Sequence, residues 1–200
     1  MIKPSEFEHL VDAFKSLPGV GSKNAKKWAY YIINQDKKYV SNFANRLIDA
    51  KDKIKLCIEC GNISSDDICS ICSNPNRDRT KICVVATSED LDRFESSNLF
   101  DGLYHVTHGE LSIRKNVLVQ HTNLDSLLKR VQKQNIQEVV IATNYTHDGE
   151  MTAEYIYNLL KPTKVSVFRI GFGLPMNSNV DYADDETLKH ALNNKRKIKF

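Results

Sequence analysis

Four cysteines, Cys57, Cys60, Cys69 and Cys72, fall within sixteen residues as two Cys-x-x-Cys pairs separated by eight residues. In each pair one tight turn can aim two thiolates at a single point, and two such knuckles complete a tetrahedral four-sulfur site for one zinc ion. Gly61 follows the first pair, where a knuckle often needs a residue of free backbone. An iron–sulfur cluster or a redox dithiol competes for the same residues, but two facing knuckles on so short a loop suit one small ion better. Zinc held by four thiolates has no open position for water or substrate, so its expected role is structural. The ion staples a loop with too few apolar residues to fold alone. The fifth cysteine, Cys83, lies in an apolar run and reads as a buried thiol rather than a further ligand.

A second arrangement is Leu17-Pro-Gly-Val-Gly-Ser-Lys-Asn-Ala-Lys-Lys-Trp28. Pro18 stops a preceding helix, and Gly19 and Gly21 are expected to form a tight turn at positive φ. The following helix then presents free backbone N–H groups and its positive dipole end, a ready phosphate site. Lys23, Lys26 and Lys27 lie within one turn of that end. This is the helix-hairpin-helix pattern of sequence-independent DNA binders, in which amides and lysines hold phosphates without reading bases. The same residues would also make an ordinary helix corner with solvated lysines; the basic surroundings favour DNA. No strand precedes the glycines, which argues against a dinucleotide site.

The net charge of +3 is unevenly distributed. Residues 1–55 carry 11 basic and 6 acidic side chains, residues 56–188 carry 12 and 19, and Lys189–Phe200 carries five basic and no acidic ones. Both ends can attract a polyanion, and the acidic middle cannot. The amino terminus lacks the apolar core of a signal peptide and no apolar run is long enough to cross a bilayer, so no membrane partner is expected and the cytoplasm is the expected location. Reduced thiols there fit metal rather than disulfides.

These groups must be positioned by two kinds of element. Helices are expected over Glu6–Ser16, Lys23–Asn34 and from Ser41 onward, capped by Ser5, Ser22 and Ser41. After the cysteines, short β-branched runs at Lys81–Thr87, Gly102–Thr107, Glu138–Thr143 and Lys164–Ile170 alternate with amphipathic stretches at Glu89–Ser97, Leu124–Gln134 and Gly149–Leu160. That alternation predicts a largely parallel sheet covered on both faces. Asp184-Asp-Glu-Thr-Leu opens a last helix leading into the basic tail.

The order of parts resembles the RecR family of bacterial recombination mediators. The resemblance rests on LPGVG, the four-cysteine knuckle, Arg77-Asp-Arg leading into Ile82-Cys-Val-Val85, Gly102-Leu-Tyr-His-Val106 and Ala142-Thr-Asn144. It extends to Arg169-Ile-Gly-Phe-Gly-Leu-Pro175 and Asp181-Tyr-Ala-Asp184, and so covers almost the whole chain. It implies a helix-hairpin-helix region (1–55), a C4 zinc finger (56–79), an α/β Toprim domain with a parallel sheet (80–176), and a C-terminal segment with a helix and basic tail (177–200). It further implies ring-like homo-oligomers, typically tetramers, that work with RecO and often RecF to load RecA on SSB-coated single-stranded or gapped DNA. Lys23 and Lys27 match the family's DNA-contact positions, and Cys57, Cys60, Cys69 and Cys72 match its zinc ligands.

Two segments depart from the family. Val84-Val85-Ala86 stands where Val-Val-Glu is usual, and Leu111-Ser-Ile-Arg-Lys-Asn-Val replaces a Gly/Pro-rich loop. Catalytic Toprim enzymes hold Mg²⁺ with a glutamate after the first strand and an Asp-x-Asp after a later one. Ala86 and Ala142-Thr-Asn144 offer neither. Glu89, Asp90, Asp148 and Glu150 are nearby but read as helix-start residues. His105 reads as a core or edge histidine, and no motif sets a nucleophile beside His108, His121 or His147. The run after Arg169 has no GxxxxGK[ST] phosphate loop. The expectation is therefore a DNA-binding mediator without catalysis, with a Mg-dependent Toprim nuclease or primase-like enzyme and a pure protein scaffold as rivals.

Overall fold

A computed structural model describes residues 4–171, 173–174 and 177–195. Phe172 and Pro175 of the Arg169–Pro175 run, and the tail beyond Lys195, lie outside the described residues. The chain divides into two compact units, Met1–Ile54 and Lys55–Phe200.

The first unit contains α1 (Ser5–Lys15), α2 (Ser22–Ile33) and α3 (Lys37–Lys53). Phe7 and Val11 of α1 pack on Ala25 and Ala29 of α2, with Leu10, Phe14 and Val20 around them. The alanines let the two helices approach closely, and the larger side chains on α1 fill the seam. All three expected caps are corrected. Pro4 caps α1, and the Ser5 hydroxyl, already inside the helix, turns to Glu6. Gly21 caps α2, so Ser22 is its first helical residue. Asp36 caps α3 by accepting from the Tyr39 N–H at 2.7 Å, which starts that helix earlier than Ser41. A short acidic side chain at an extended residue takes the cap ahead of a serine further along. α3 buries no residue, and Tyr39, Phe43, Leu47 and Ile48 stand exposed on it.

The second unit begins with a short antiparallel ribbon, β1 (Lys55–Leu56) and β2 (Ile63–Ser64), and a single-turn helix α4 (Ser70–Ser73). It continues as β3 (Asp78–Val85), α5 (Ser88–Ser97), β4 (Gly102–Val106), α6 (Leu124–Lys133), β5 (Glu138–Ile141), α7 (His147–Leu160), β6 (Ser166–Arg169) and α8 (Asp185–Asn193). The four longer strands form one parallel sheet in the order β4-β3-β5-β6. Strand alternation sends Ile82, Val84, Leu103, Val139 and Ile141 to a core shared with Leu124, Leu127 and Val131 of α6 and Ile156 and Leu160 of α7. Cys83, Val85, Tyr104 and Val106 face the other way, against Leu91 and Phe94 of α5 and Ile71 of α4. The expected cover on both faces holds for β4 and β3. Over β5 and β6 only the α6–α7 face is closed, and on the other Val140 is half-buried and Phe168 exposed, because α5 and α4 pack on β3 and β4. Burial alone pushes the Cys83 thiol up to about 12.

Three helix starts in this unit are closed by side chains. Thr87 and Asp90 form a capping box on α5, Thr146 caps α7 and Asp184 caps α8. Asp90 therefore works at the helix start, and Asp148 and Glu150 lie in the first turn of α7, where their charge favours the positive dipole end.

Candidate nucleic-acid interface and metal centre

Between α1 and α2 the chain reverses in a turn closed by the Val20 N–H donating to the Leu17 carbonyl at 3.2 Å. Pro18 and Gly19 occupy its central positions, with Gly19 at φ +75°, the arrangement of a type II turn. Gly21 does not share the expected positive φ: it is extended, at φ −78° and ψ 162°, and serves as the N-cap of α2. A Cβ added at either glycine would meet nothing within 4 Å. What Gly21 contributes is bare backbone. The first intrahelical bond runs from the Ala25 N–H to the Gly21 carbonyl, and no side chain caps the N–H groups ahead of it. The first turn of α2 holds no acidic residue. Lys23, Lys26 and Lys27 are all exposed, share the outer face by i, i+3, i+4 spacing, and form no ion pair among the described residues. Donors, dipole and unpaired charge converge on one open surface, which suits phosphate oxygens.

The four knuckle sulfurs lie within 4.8 Å of one another, and all four cysteines are buried. Gly61, at φ +78°, turns the first knuckle: its N–H donates to the Cys57 carbonyl at 2.8 Å, and the Cys57 N–H donates to the Asn62 carbonyl at 2.7 Å. Amides also reach the sulfurs, from Asn62 to Cys60 Sγ at 3.4 Å and from Cys69 to Cys57 Sγ at 3.3 Å. Cys69 opens α4, which carries Cys72 round to the same point. Sulfur crowding drives the Cys69 thiol strongly down, through hydrogen bonds from Cys60 and Cys72, and Cys60 strongly up. A buried set of four soft donors at one point fits one structural zinc ion, which would be held by Cys57, Cys60, Cys69 and Cys72 with no position left open.

This finger is sewn to the sheet. The Val106 N–H donates to the Cys60 carbonyl at 2.8 Å, the His108 ring meets the Gly61 carbonyl at 2.7 Å, and Arg79 donates to the Cys72 carbonyl at 2.9 Å. Arg130 of α6 reaches Cys72 Sγ at 3.5 Å. A Cβ on Gly61 would fall 2.6 Å from the Asn123 amide and 3.0 Å from the Val106 carbonyl. His105 is fully buried, with Nε2 2.9 Å from the Asn123 carbonyl; burial holds it down at about 4, so it is the neutral core histidine expected. Arg130, Asn123 and the contact made by His108 escaped sequence reasoning. Arg130 did leave one signal: it follows Leu124 and Leu127 at helical spacing, on the stripe that Val131 shows to face the core.

Strand order reverses between β3 and β5, so a ligand crevice of an open α/β sheet belongs outside their carboxyl ends. Ala86 and Ala142-Thr143-Asn144 stand there. The adjacent carboxylate is Glu110, which accepts from the Asn144 N–H at 2.7 Å and its side-chain amide at 3.0 Å. Glu150 is paired with Arg169 at 2.7 Å, and Arg169 also holds the Ile141 and Asn144 carbonyls. Asp148 lies 3.7 Å from Lys115. These carboxylates tie loops and side chains together and do not converge on one point.

Comparison with known proteins gives one consistent result. Residues 7–51 match the RecR helix-hairpin-helix, 54–74 the RecR four-cysteine zinc finger domain, 80–171 the Toprim domain and 173–196 the RecR C-terminal region. Proteins named Recombination protein RecR are similar over the full length: 56% identical over 201 residues in Ureaplasma urealyticum serovar 10 and 54% over 200 residues in Ureaplasma parvum serovar 3, covering all of both chains. That of Lactobacillus helveticus is 44% identical over 190 residues, covering 94% of this chain and 96% of its own.

Proposed function

This chain belongs to the RecR family and so serves recombination repair, and we propose that it does so as a non-catalytic, DNA-binding mediator. In this reading Gly19, Gly21, Lys23, Lys26 and Lys27 hold DNA phosphates without regard to sequence. The protein acts in the cytoplasm with RecO, and with RecF where present, to help RecA load on SSB-coated single-stranded or gapped DNA. The observation that carries it is the open, basic and uncapped start of α2. The absence of a carboxylate at Ala86 and Asn144 supports mediation rather than phosphoryl transfer. The exposed Tyr39, Phe43, Leu47 and Ile48 supply apolar surface that a second copy would cover, which supports a ring-like homo-oligomer, a tetramer by family resemblance.

The test is a salt titration of binding to gapped DNA, with wild-type protein and Lys23→Ala/Lys27→Ala, each with and without RecO. The expected result is binding that falls with salt and collapses in the double variant. Binding indifferent to both salt and substitution would instead identify a protein scaffold. Magnesium-dependent cleavage abolished by Asp148→Asn or Glu89→Gln would identify a nuclease.

A further inference from the structure

Arg130 is only 6% exposed, although a buried guanidinium is costly unless a counter-charge accompanies it. Its one carboxylate neighbour among the described residues, Glu59, is 3.9 Å from Nε, partly in solvent, and already receives the Gln134 amide. Each nitrogen of the fork makes a bond: Nη1 donates to the Tyr104 carbonyl of β4, Nε to Gln134 Oε1 at 3.0 Å, and Nη2 to Cys72 Sγ at 3.5 Å. One zinc ion bound by four thiolates keeps two negative charges uncompensated. Backbone amides reach Cys57 and Cys60, whereas Cys72 receives its donor from another element of the fold.

We propose that Arg130 is a positioning residue of the zinc centre: a buried counter-charge, supplied by α6, that hydrogen-bonds the Cys72 thiolate and fixes the finger to β4. The guanidinium grips a metal ligand with one nitrogen and the sheet with another. Zinc retention and docking of the finger are therefore one equilibrium: loss of the ion removes the charge that justifies burying Arg130, and loss of Arg130 loosens the ion. Outer partners of this kind orient ligands and tune metal affinity. The flat fork is required, because a lysine offers charge without two fixed directions.

The test compares zinc-loaded wild type with Arg130→Met, Arg130→Lys and Glu59→Gln, each confirmed folded by a thermal melt. Zinc transfer to a chromogenic chelator is expected to quicken about tenfold to a hundredfold in Arg130→Met, to recover partly in Arg130→Lys, and to stay unchanged in Glu59→Gln. In the cobalt-substituted proteins, the thiolate-to-metal charge-transfer band is expected at lower energy in Arg130→Met alone. An arginine that merely filled space would lower the melting temperature without moving that band. Unchanged release and band in folded Arg130→Met would overturn the proposal, as would equal quickening in Glu59→Gln, which would make Glu59 the partner that matters. If Arg130→Met does not fold, the wild type decides. Zinc removal should turn the Arg130 Nη–H groups, which reach Cys72 and the Tyr104 carbonyl, from slow to fast hydrogen exchange, and unchanged protection would overturn the proposal.

Discussion

At the zinc centre, donors and acceptors are spent inside the protein: amides on Cys57 and Cys60, Arg130 on Cys72, His108 on Gly61, and Val106 on Cys60. At the hairpin, by contrast, the first N–H groups of α2 have no cap, and Lys23, Lys26 and Lys27 are exposed. Among the described helices of eight or more residues, α2 is the one with neither a side-chain cap nor an acidic first turn. Glycine serves both regions in opposite ways. Gly61 is hemmed in, because the knuckle packs on the sheet; Gly21 faces open space, because its backbone is the surface. Closed polarity makes a joint, and open polarity makes a binding face.

Five variants bear on that contrast. Cys60→Ser should have the largest effect: loss of the bound zinc, measured by metal analysis, and loss of the finger's protection from hydrogen exchange, while α1 and α2 keep theirs. Next is the acid response of the closed region. His105 is held at about 4, below its ordinary 6.5, chiefly by burial and also by the charge of Arg130. The unfolded chain therefore binds this proton first, so stability is fully present above about pH 6.5 and is lost as pH falls towards 4, by up to about 3 kcal/mol. Thermal melts across that range should show the slope in the wild type and a shallower one in His105→Gln.

Gly61→Ala should cost about 2 kcal/mol in a denaturant melt, combining a positive φ with crowding against the Asn123 and His108 side chains and the Val106 carbonyl. Gly21→Ala, at negative φ with nothing nearby, should cost well under about 1 kcal/mol, an equal loss at both glycines being the result that breaks the contrast. Lys23→Ala/Lys27→Ala should change stability least, within about 0.5 kcal/mol, because both side chains are exposed. The same variant should lower the slope of log binding constant against log salt by about 2 if each lysine neutralises one phosphate.

Much of this protein follows from sequence-local chemistry. Two Cys-x-x-Cys pairs bring four soft donors together over short spans of chain, so their meeting needs little help from the rest of the fold. Pro18-Gly19 specifies its turn through one locked φ and one residue tolerant of positive φ. The apolar runs of β3 and β4 predict buried central strands because they have no polar face to leave in water, whereas β5 and β6 alternate and keep one face partly exposed. Neighbours set finer outcomes: Asp36 rather than Ser41 starts α3, and Gly21 caps α2 from an extended backbone. Tertiary structure alone decided which side chains from distant positions became partners. Arg130 lies 58 residues from Cys72, and His108 lies 47 from Gly61. No periodicity or spacing encodes such pairs; they exist because the sheet, once packed, sets α6 and the end of β4 against the finger. There the cost of burying charge and polar groups selects what they touch.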